Sequence, residues 1–209
     1  MSGFTYESEE TTRRLETFEW DNIWWEHTEN TAAPRALIVG DSISCGYRHV
    51  LNQKLAGDIL ADGFGTSKAV DNPFFMKSLL LFIEQMSRLD AIVFNSGLHG
   101  WHLSTPAYRA AYRQIIGELT ARFGDKKFAI ALTTPVRNAA NLAEFEDRNA
   151  VVIERNQAAR EIAAEYGLPM LDYYTPLSDK PELFSGDGVH LTGGGYDLLA
   201  ELCAAFIKK

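Results

Sequence analysis

Short apolar runs alternate along the chain with longer segments in which apolar residues recur at helical spacing. Uninterrupted apolar runs are typical of parallel strands that are covered on both faces. Five such runs predict buried strands, at residues 36–39, 58–61, 90–94, 128–132 and 168–171. Helical spacing predicts helices at residues 47–56, 73–87, 106–123, 142–166 (with a break near Arg148) and 194–207. The alternation predicts an α/β domain with about five parallel strands and helices on both faces of the sheet.

Residues 1–34 precede the first strand, and we interpret them as an arm packed on a domain of residues 35–209. Aromatic residues in the arm recur at helical spacing, since Trp20 and Trp24 are four positions apart and Phe18 and Trp25 are seven apart. This spacing predicts a helix over residues 11–27. Its rings either pack against the core or form a platform for a sugar.

Composition and charge narrow the class of protein. The chain has 209 residues, of which 46% are hydrophobic and 23% charged, as in one ordinary globular domain. A net charge of −8 without a Lys/Arg cluster disfavours nucleic acid as a partner. No apolar run approaches the roughly 18 residues of a membrane helix, so no membrane partner is expected. The polar start and the two cysteines favour a reducing, cytoplasmic location, with a removed secretion signal as the alternative.

The first strand stops abruptly at Gly40, and Asp41 and Ser42 follow it where a helix can begin. Ligands bind at the carboxyl ends of strands in open α/β sheets, and helix N–H groups there stabilise negative charge. Ser42 is therefore a candidate nucleophile. On these residues alone it is equally well a cap for the following helix.

A second candidate stretch near the carboxyl terminus contains Asp187 and His190, separated by two residues. One turn of backbone can bring this carboxylate onto the imidazole Nδ1–H, which leaves Nε2 free to take a proton. A serine hydroxyl needs such a base before it becomes a good nucleophile. With Ser42 the chain order is Ser, Asp, His, the order also found in α/β-hydrolases. The three residues together predict nucleophilic catalysis.

Gly40-Asp41-Ser42 placed this early and Asp187-Gly-Val-His190 placed this late resemble the GDSL/SGNH hydrolase superfamily over residues 35–207. The resemblance implies a flavodoxin-like, three-layer α/β/α sandwich. It implies a serine nucleophile with a His base and an Asp orienter, and hydrolysis of acyl esters, often acetyl groups on carbohydrates. The expected partner is a small-molecule or glycan ester, and no metal or organic cofactor is implied.

One block departs from the superfamily pattern. Gly-x-Asn-Asp usually follows the third strand and supplies an Asn donor to the oxyanion, but this chain has Gly97-Leu98-His99-Gly100. A His N–H can also donate to an oxyanion, so His99 or the backbone at Gly97 is the favoured donor, with Asn95 as the competitor. The alternative interpretation is that His99 and Asn95 only brace the loop. The altered block also leaves open a non-catalytic relative that binds carbohydrate or a protein partner.

The remaining candidates lie on the same end of the sheet. Gly65 and Gly63, in a predicted loop over residues 62–68, are the options for the superfamily's second-block glycine. Arg137 follows the fourth strand and is a candidate for substrate contact, or for an ordinary surface ion pair. His102 comes three residues after His99, but two His residues are too few to predict a metal site.

Overall fold

The computed structural model describes residues 16–209, which form a mainly parallel β-sheet between two layers of helices. In chain order the strands are β1 (Asp21–Trp24), β2 (Arg35–Gly40), β3 (Leu60–Thr66), β4 (Ala91–Phe94), β5 (Lys127–Ala131), β6 (Arg137–Asn138), β7 (Asn141–Phe145) and β8 (Met170–Leu171). The helices are α1 (Ser42–Leu55), α2 (Phe75–Glu84), α3 (Thr105–Phe123), α4 (Asn149–Tyr166) and α5 (Gly193–Ile207).

The six strands of the main sheet lie in the order β1-β3-β2-β4-β5-β8. All neighbours are parallel except β1, which pairs antiparallel with β3 at the edge. β6 and β7 form a separate antiparallel hairpin. The predicted three-layer fold with five parallel strands is confirmed, with β1 as an additional strand.

Side chains of each central strand enter two separate apolar layers. Ala36 and Ile38 of β2 pack in the layer of α1 and α5, whereas Leu37 and Val39 pack in the layer of α2, α3 and α4. This burial on both faces explains why the strand is apolar without alternation. Among the helices of residues 16–209, none has the length and apolar character needed to cross a bilayer.

The predicted arm helix is wrong in its described part. Residues 11–15 lie outside the described range, and Asp21–Trp24 forms the edge strand β1. The rings do not share a helix face: Trp25 stacks on Phe82 at 4.8 Å, while Trp24 is half-exposed with Arg48 5.3 Å from its ring. A spacing of four keeps two side chains on one face in a helix and in a strand alike, so the Trp20/Trp24 spacing does not distinguish the two structures.

The loop predicted over residues 62–68 is also wrong, because β3 continues to Thr66. Its glycines are required by close packing. A Cβ at Gly63 would overlap the Arg48 side chain, and a Cβ at Gly65 would overlap the sulfur of Cys45. In the predicted helix over residues 142–166, the first part instead forms β7, and α4 starts next to the expected break.

Candidate active site

Ser42 is the first residue of α1 and follows the carboxyl end of β2. A side chain at Gly40 would meet Ser44, with Cβ 2.7 Å from its Cβ, so only glycine fits the turn. The helix cap is Asp41 rather than Ser42, because Asp41 Oδ1 accepts the N–H of Ile43 at 2.9 Å. The Ser42 hydroxyl is therefore not needed as a cap.

The carboxylate of Asp187 organises the turn that carries His190. Its Oδ1 accepts the Ser185 hydroxyl at 2.8 Å and the backbone N–H groups of Val189 and His190 at 2.9 Å each. Its Oδ2 lies 2.6 Å from His190 Nδ1. Gly188, at φ +73°, lets the chain reverse between the two residues. The ring of His190 is thus oriented by contacts within one short turn.

The fold brings this turn onto the helix start. His190 Nε2 lies 2.9 Å from Ser42 Oγ, although the two residues are 148 positions apart in the chain. When Nδ1 donates its hydrogen to Asp187, the neutral ring presents an unprotonated Nε2 to the serine hydroxyl. The side chains of His190 and Asp187 are 44% and 52% exposed, so solvent reaches this relay.

The two carboxyl groups nearest Ser42 have opposite environments. Burial acts to raise the pKa of Asp187, but hydrogen bonds from His190 and its turn outweigh it and hold that pKa well below its ordinary value of 3.8. Burial raises the pKa of Asp41, and the neighbouring His99 and His190 rings offset only part of that rise. Asp187 is consequently ionised at neutral pH and available to stabilise an imidazolium.

His99 lies in the loop after β4, with its side chain 23% exposed. Its ring meets Trp20 edge to face at a centroid distance of 6.3 Å, and its Nδ1 is 3.7 Å from Glu16 Oε1. Of the arm tryptophans, Trp20 is thus the one in contact with this loop. Trp20 is partly exposed, whereas Trp25 packs against the core.

Asn95 does not fit the predicted competitor role of oxyanion donor. Its side-chain amide donates to Ala131 O at 2.8 Å and to Thr133 Oγ1 at 3.1 Å, which uses both of its hydrogens. Asn95 therefore braces the ends of β4 and β5. Gly65, one of the two candidates for the second-block glycine, pairs with Gly40 near the carboxyl end of β3, so it lies beside the strand that leads to Ser42.

Both predictions for Arg137 are wrong. The residue is 2% exposed, and its guanidinium donates to backbone carbonyls at Leu142 (2.9 Å), Leu177 (3.2 Å) and Ser178 (2.5 Å). It therefore ties the β6–β7 hairpin to the segment before the His190 turn, and it is too buried to contact substrate. His102 Nε2 lies 3.2 Å from Asp71 Oδ2.

Sequence reasoning missed two residues that contact the His99 loop, Glu16 and Arg155. The Gly100 N–H donates to Glu16 Oε1 at 2.6 Å, and Arg155 donates to three carbonyls of the loop. In the sequence Arg155 resembles a surface residue of a polar helix, and Glu16 lies in a stretch that also resembles a helix. No local pattern marks either contact.

Comparison with known proteins gives one family. The model of the GDSL-like lipase/acylhydrolase family matches residues 38–198, which include Ser42, Asp187 and His190. Curated protein sequences give no significant match.

Solved structures share the fold at low sequence identity. An acetyl xylan esterase is 16% identical with a TM-score of 0.63, over 82% of this chain and 98% of that one. A GDSL-like lipase from Bacteroides thetaiotaomicron is 19% identical with a TM-score of 0.63, over 83% and 88%. A lipase/acylhydrolase from Enterococcus faecalis is 20% identical with a TM-score of 0.63, over 84% and 95%.

Proposed function

Since this chain belongs to the GDSL-like lipase/acylhydrolase family, we propose that it is a serine-dependent carboxylic ester hydrolase. Ser42 is the nucleophile, His190 the general base and Asp187 the orienting carboxylate. The observation that carries the proposal is the continuous contact from Asp187 Oδ2 through the imidazole to Ser42 Oγ, at 2.6 and 2.9 Å. These distances lie within the range required for proton transfer.

The reaction proceeds through an acyl-enzyme. Ser42 Oγ attacks the ester carbonyl carbon while its proton passes to His190 Nε2, and Asp187 stabilises the resulting imidazolium. The tetrahedral intermediate then collapses, and His190 returns the proton to the departing alcohol. Water then attacks the acyl carbonyl carbon while His190 takes one of its protons. His190 returns that proton to Ser42 Oγ, which releases the carboxylic acid and restores the serine.

The oxyanion needs donors at the start of α1. The Ser42 N–H belongs to the first helical turn, whose N–H groups have no acceptor within the helix. His99 supplies a side-chain donor in place of the superfamily's Asn, and the backbone N–H groups of Gly97 and Gly65 are further candidates. The place of the His99 loop supports this role. The loop follows β4, and the Asn95 N–H at its start donates to Val39 O at 3.0 Å, so the loop begins at the strand end that carries Ser42.

Hydrolysis of p-nitrophenyl acetate by wild type and Ser42→Ala tests the mechanism. We expect the substitution to lower kcat by about 10⁴-fold or more, while the unfolding transition and the circular dichroism spectrum stay as in wild type. Thr17→Ala in the arm serves as a handling control and retains activity. Equal activity in Ser42→Ala and wild type would refute the serine mechanism.

The preferred substrate in our proposal is a short acyl ester, such as acetyl, on a carbohydrate or similar polar alcohol. Trp20 supports this, because an aromatic ring suits contact with a sugar and this ring contacts His99, the proposed oxyanion donor. The acetyl xylan esterase with the same fold is consistent with it.

A substrate panel tests this choice. Acetylated xylo-oligosaccharides and p-nitrophenyl acetate are compared with p-nitrophenyl octanoate. We expect higher kcat/KM for acetyl esters, and Trp20→Ala to raise KM for the sugar ester more than for the aryl ester. Preference for the octanoyl ester, or equal effects of Trp20→Ala on both acetyl esters, would contradict the carbohydrate assignment.

A further inference from the structure

A buried arginine from α4 holds the loop that carries His99. Arg155 Nη1 donates to Gly97 O at 2.8 Å and to His99 O at 2.7 Å, and Nη2 donates to Gly100 O at 2.6 Å. One guanidinium thus binds three carbonyls within four consecutive residues. The planar group with its fixed fork of N–H donors suits this task, and a lysine cannot reproduce it.

The Arg155 side chain is buried, and its guanidinium makes its hydrogen bonds to this loop. The residue is 1% exposed, and its guanidinium lies 4.9 Å from the ring of Trp101 and 4.6 Å from that of Tyr108. Among residues 16–209, no carboxylate forms an ion pair with it. A buried cation is costly unless its donors are satisfied. Here the loop carbonyls accept from Nη1 and Nη2, and only Nε has no hydrogen-bond partner among the described residues.

The peptide between His99 and Gly100 is held at both ends. Its carbonyl accepts from Arg155, and its N–H donates to Glu16 Oε1 at 2.6 Å. In a trans peptide these two groups point in opposite directions, so the two partners act from opposite sides. The Glu16 carboxylate also lies 3.7 Å from His99 Nδ1. Rotation of this peptide would break both hydrogen bonds and move the imidazole attached beside it.

We propose that Arg155 and Glu16 are positioning residues that clamp the His99–Gly100 peptide and thereby fix the His99 imidazole towards the oxyanion. This inference rests on the proposed esterase function and on His99 as a donor. Neither residue touches the reacting atoms. Their effect on rate arises because a displacement of about 1 Å at a catalytic group can cost about 10²-fold.

A double-mutant cycle on p-nitrophenyl acetate hydrolysis tests the clamp. Arg155→Lys and Glu16→Ala are made in wild type and in a His99→Ala background. We expect each to lower kcat by about tenfold or more in wild type, with a smaller change in KM, and by less than about twofold when His99 is absent. Glu16→Gln keeps an acceptor for the Gly100 N–H, so it should recover most of the loss.

Two control variants match the clamp residues. The Arg148 guanidinium lies 5.0 Å from the Trp101 ring and forms an ion pair with Glu146, but it donates no hydrogen bond to the loop carbonyls. The Glu19 carboxylate accepts a hydrogen bond from the Asn72 side chain and not from the Gly100 N–H. We expect Arg148→Ala and Glu19→Gln to retain wild-type kcat. If Arg155→Lys fails to fold, the Glu16 series alone decides.

Equal losses of kcat in the wild-type and His99→Ala backgrounds, or no loss in wild type, would overturn the clamp. Amide hydrogen exchange at Gly100 provides a readout without turnover, and we expect it to accelerate in Glu16→Ala but not in Glu16→Gln. Absence of both turnover and fluorophosphonate labelling in wild type would instead refute the esterase function. In that event, unchanged Gly100 exchange in Glu16→Ala would still refute the clamp separately.

Discussion

The turn that carries His190 and the loop that carries His99 meet the carboxyl edge of the same sheet, but different kinds of contact hold them. The His190 ring is oriented by Asp187, three residues earlier, and that carboxylate is anchored by atoms of the same turn. The His99 loop is anchored by Glu16 and Arg155, which are 84 and 56 positions away from their partners Gly100 and His99.

The orientation of His190 is thus set mainly by residues close to it in the sequence, whereas the position of His99 depends on contacts between distant segments. The Asp187 turn is held mainly by contacts within a short segment with a permissive glycine, to which the distant Arg137 N–H adds one hydrogen bond at Gly188 O (2.7 Å), and it stays half-exposed. The His99 loop depends on correct docking of α3 and α4, since the Tyr108 hydroxyl also donates to Ser96 O at 2.5 Å. Variants in the two regions should therefore affect activity and stability in different proportions.

The largest effect is expected when the turn that carries His190 is altered. Asp187→Asn should lower kcat by about 10⁴-fold with the fold intact, because an amide favours the wrong His190 tautomer. Ser185→Ala removes one hydrogen bond to the same carboxylate and leaves the imidazole contact, so it should cost less than about tenfold. Steady-state kinetics measure both. Retention of a tenth of the activity by Asp187→Asn would show that the relay is not working as described.

A smaller effect is expected in the loop that carries His99. His99→Ala should lower kcat by about 10²–10³-fold, the usual cost of one oxyanion donor, with little change in KM. Kinetics on p-nitrophenyl acetate give both parameters, and His102→Ala is the matched control. Wild-type kcat in His99→Ala would remove this residue from the mechanism and leave the oxyanion to backbone donors.

Asn95 adjoins the His99 loop, but its side chain is hydrogen-bonded to the ends of the strands. Asn95→Ala should lower the free energy of unfolding by about 1–3 kcal/mol, since Ala131 O and Thr133 Oγ1 lose their donor. It should change kcat by less than about tenfold. Urea unfolding and kinetics test the two parts. A kcat loss as large as that of His99→Ala would restore Asn95 as the oxyanion donor.

The smallest effect concerns the pH dependence of stability. The pKa of Asp187 is lowered in the folded state, so the unfolded chain binds a proton near the ordinary value of 3.8 while the folded chain does not. Stability from this group is present above that pH and is lost as the pH falls below it. Urea unfolding at pH 2.5–5 should show a shallower pH dependence for Asp187→Asn than for wild type. Equal slopes would mean that the turn does not stabilise the ionised carboxylate.

Features carried by neighbouring residues were predictable from the sequence. The apolar runs indicated the five parallel strands, and Gly40-Asp41-Ser42 and Asp187-x-x-His190 indicated which strand end and which turn to examine. Each is visible as a pattern within a few consecutive residues, so a single sequence is enough to identify it.

Features that depend on packing between distant segments were not predictable. Gly63 and Gly65 indicated a loop, but they belong to a strand because Arg48 and Cys45 occupy the space of their side chains. Arg137 resembled a substrate contact because of its place after a strand, although the fold buries it against backbone carbonyls. Arg155 was not predicted for the same reason, because its carbonyl acceptors come within reach only in the folded core.

Labelling with a fluorophosphonate tests whether His190 activates Ser42, because the reagent bonds covalently to a serine activated by an adjacent base. Wild-type protein is treated at neutral pH, and the modified peptide is identified by mass spectrometry beside His190→Ala. We expect one adduct, on Ser42, formed far more slowly when His190 is replaced. No adduct on Ser42, or equally fast labelling in His190→Ala, would contradict it.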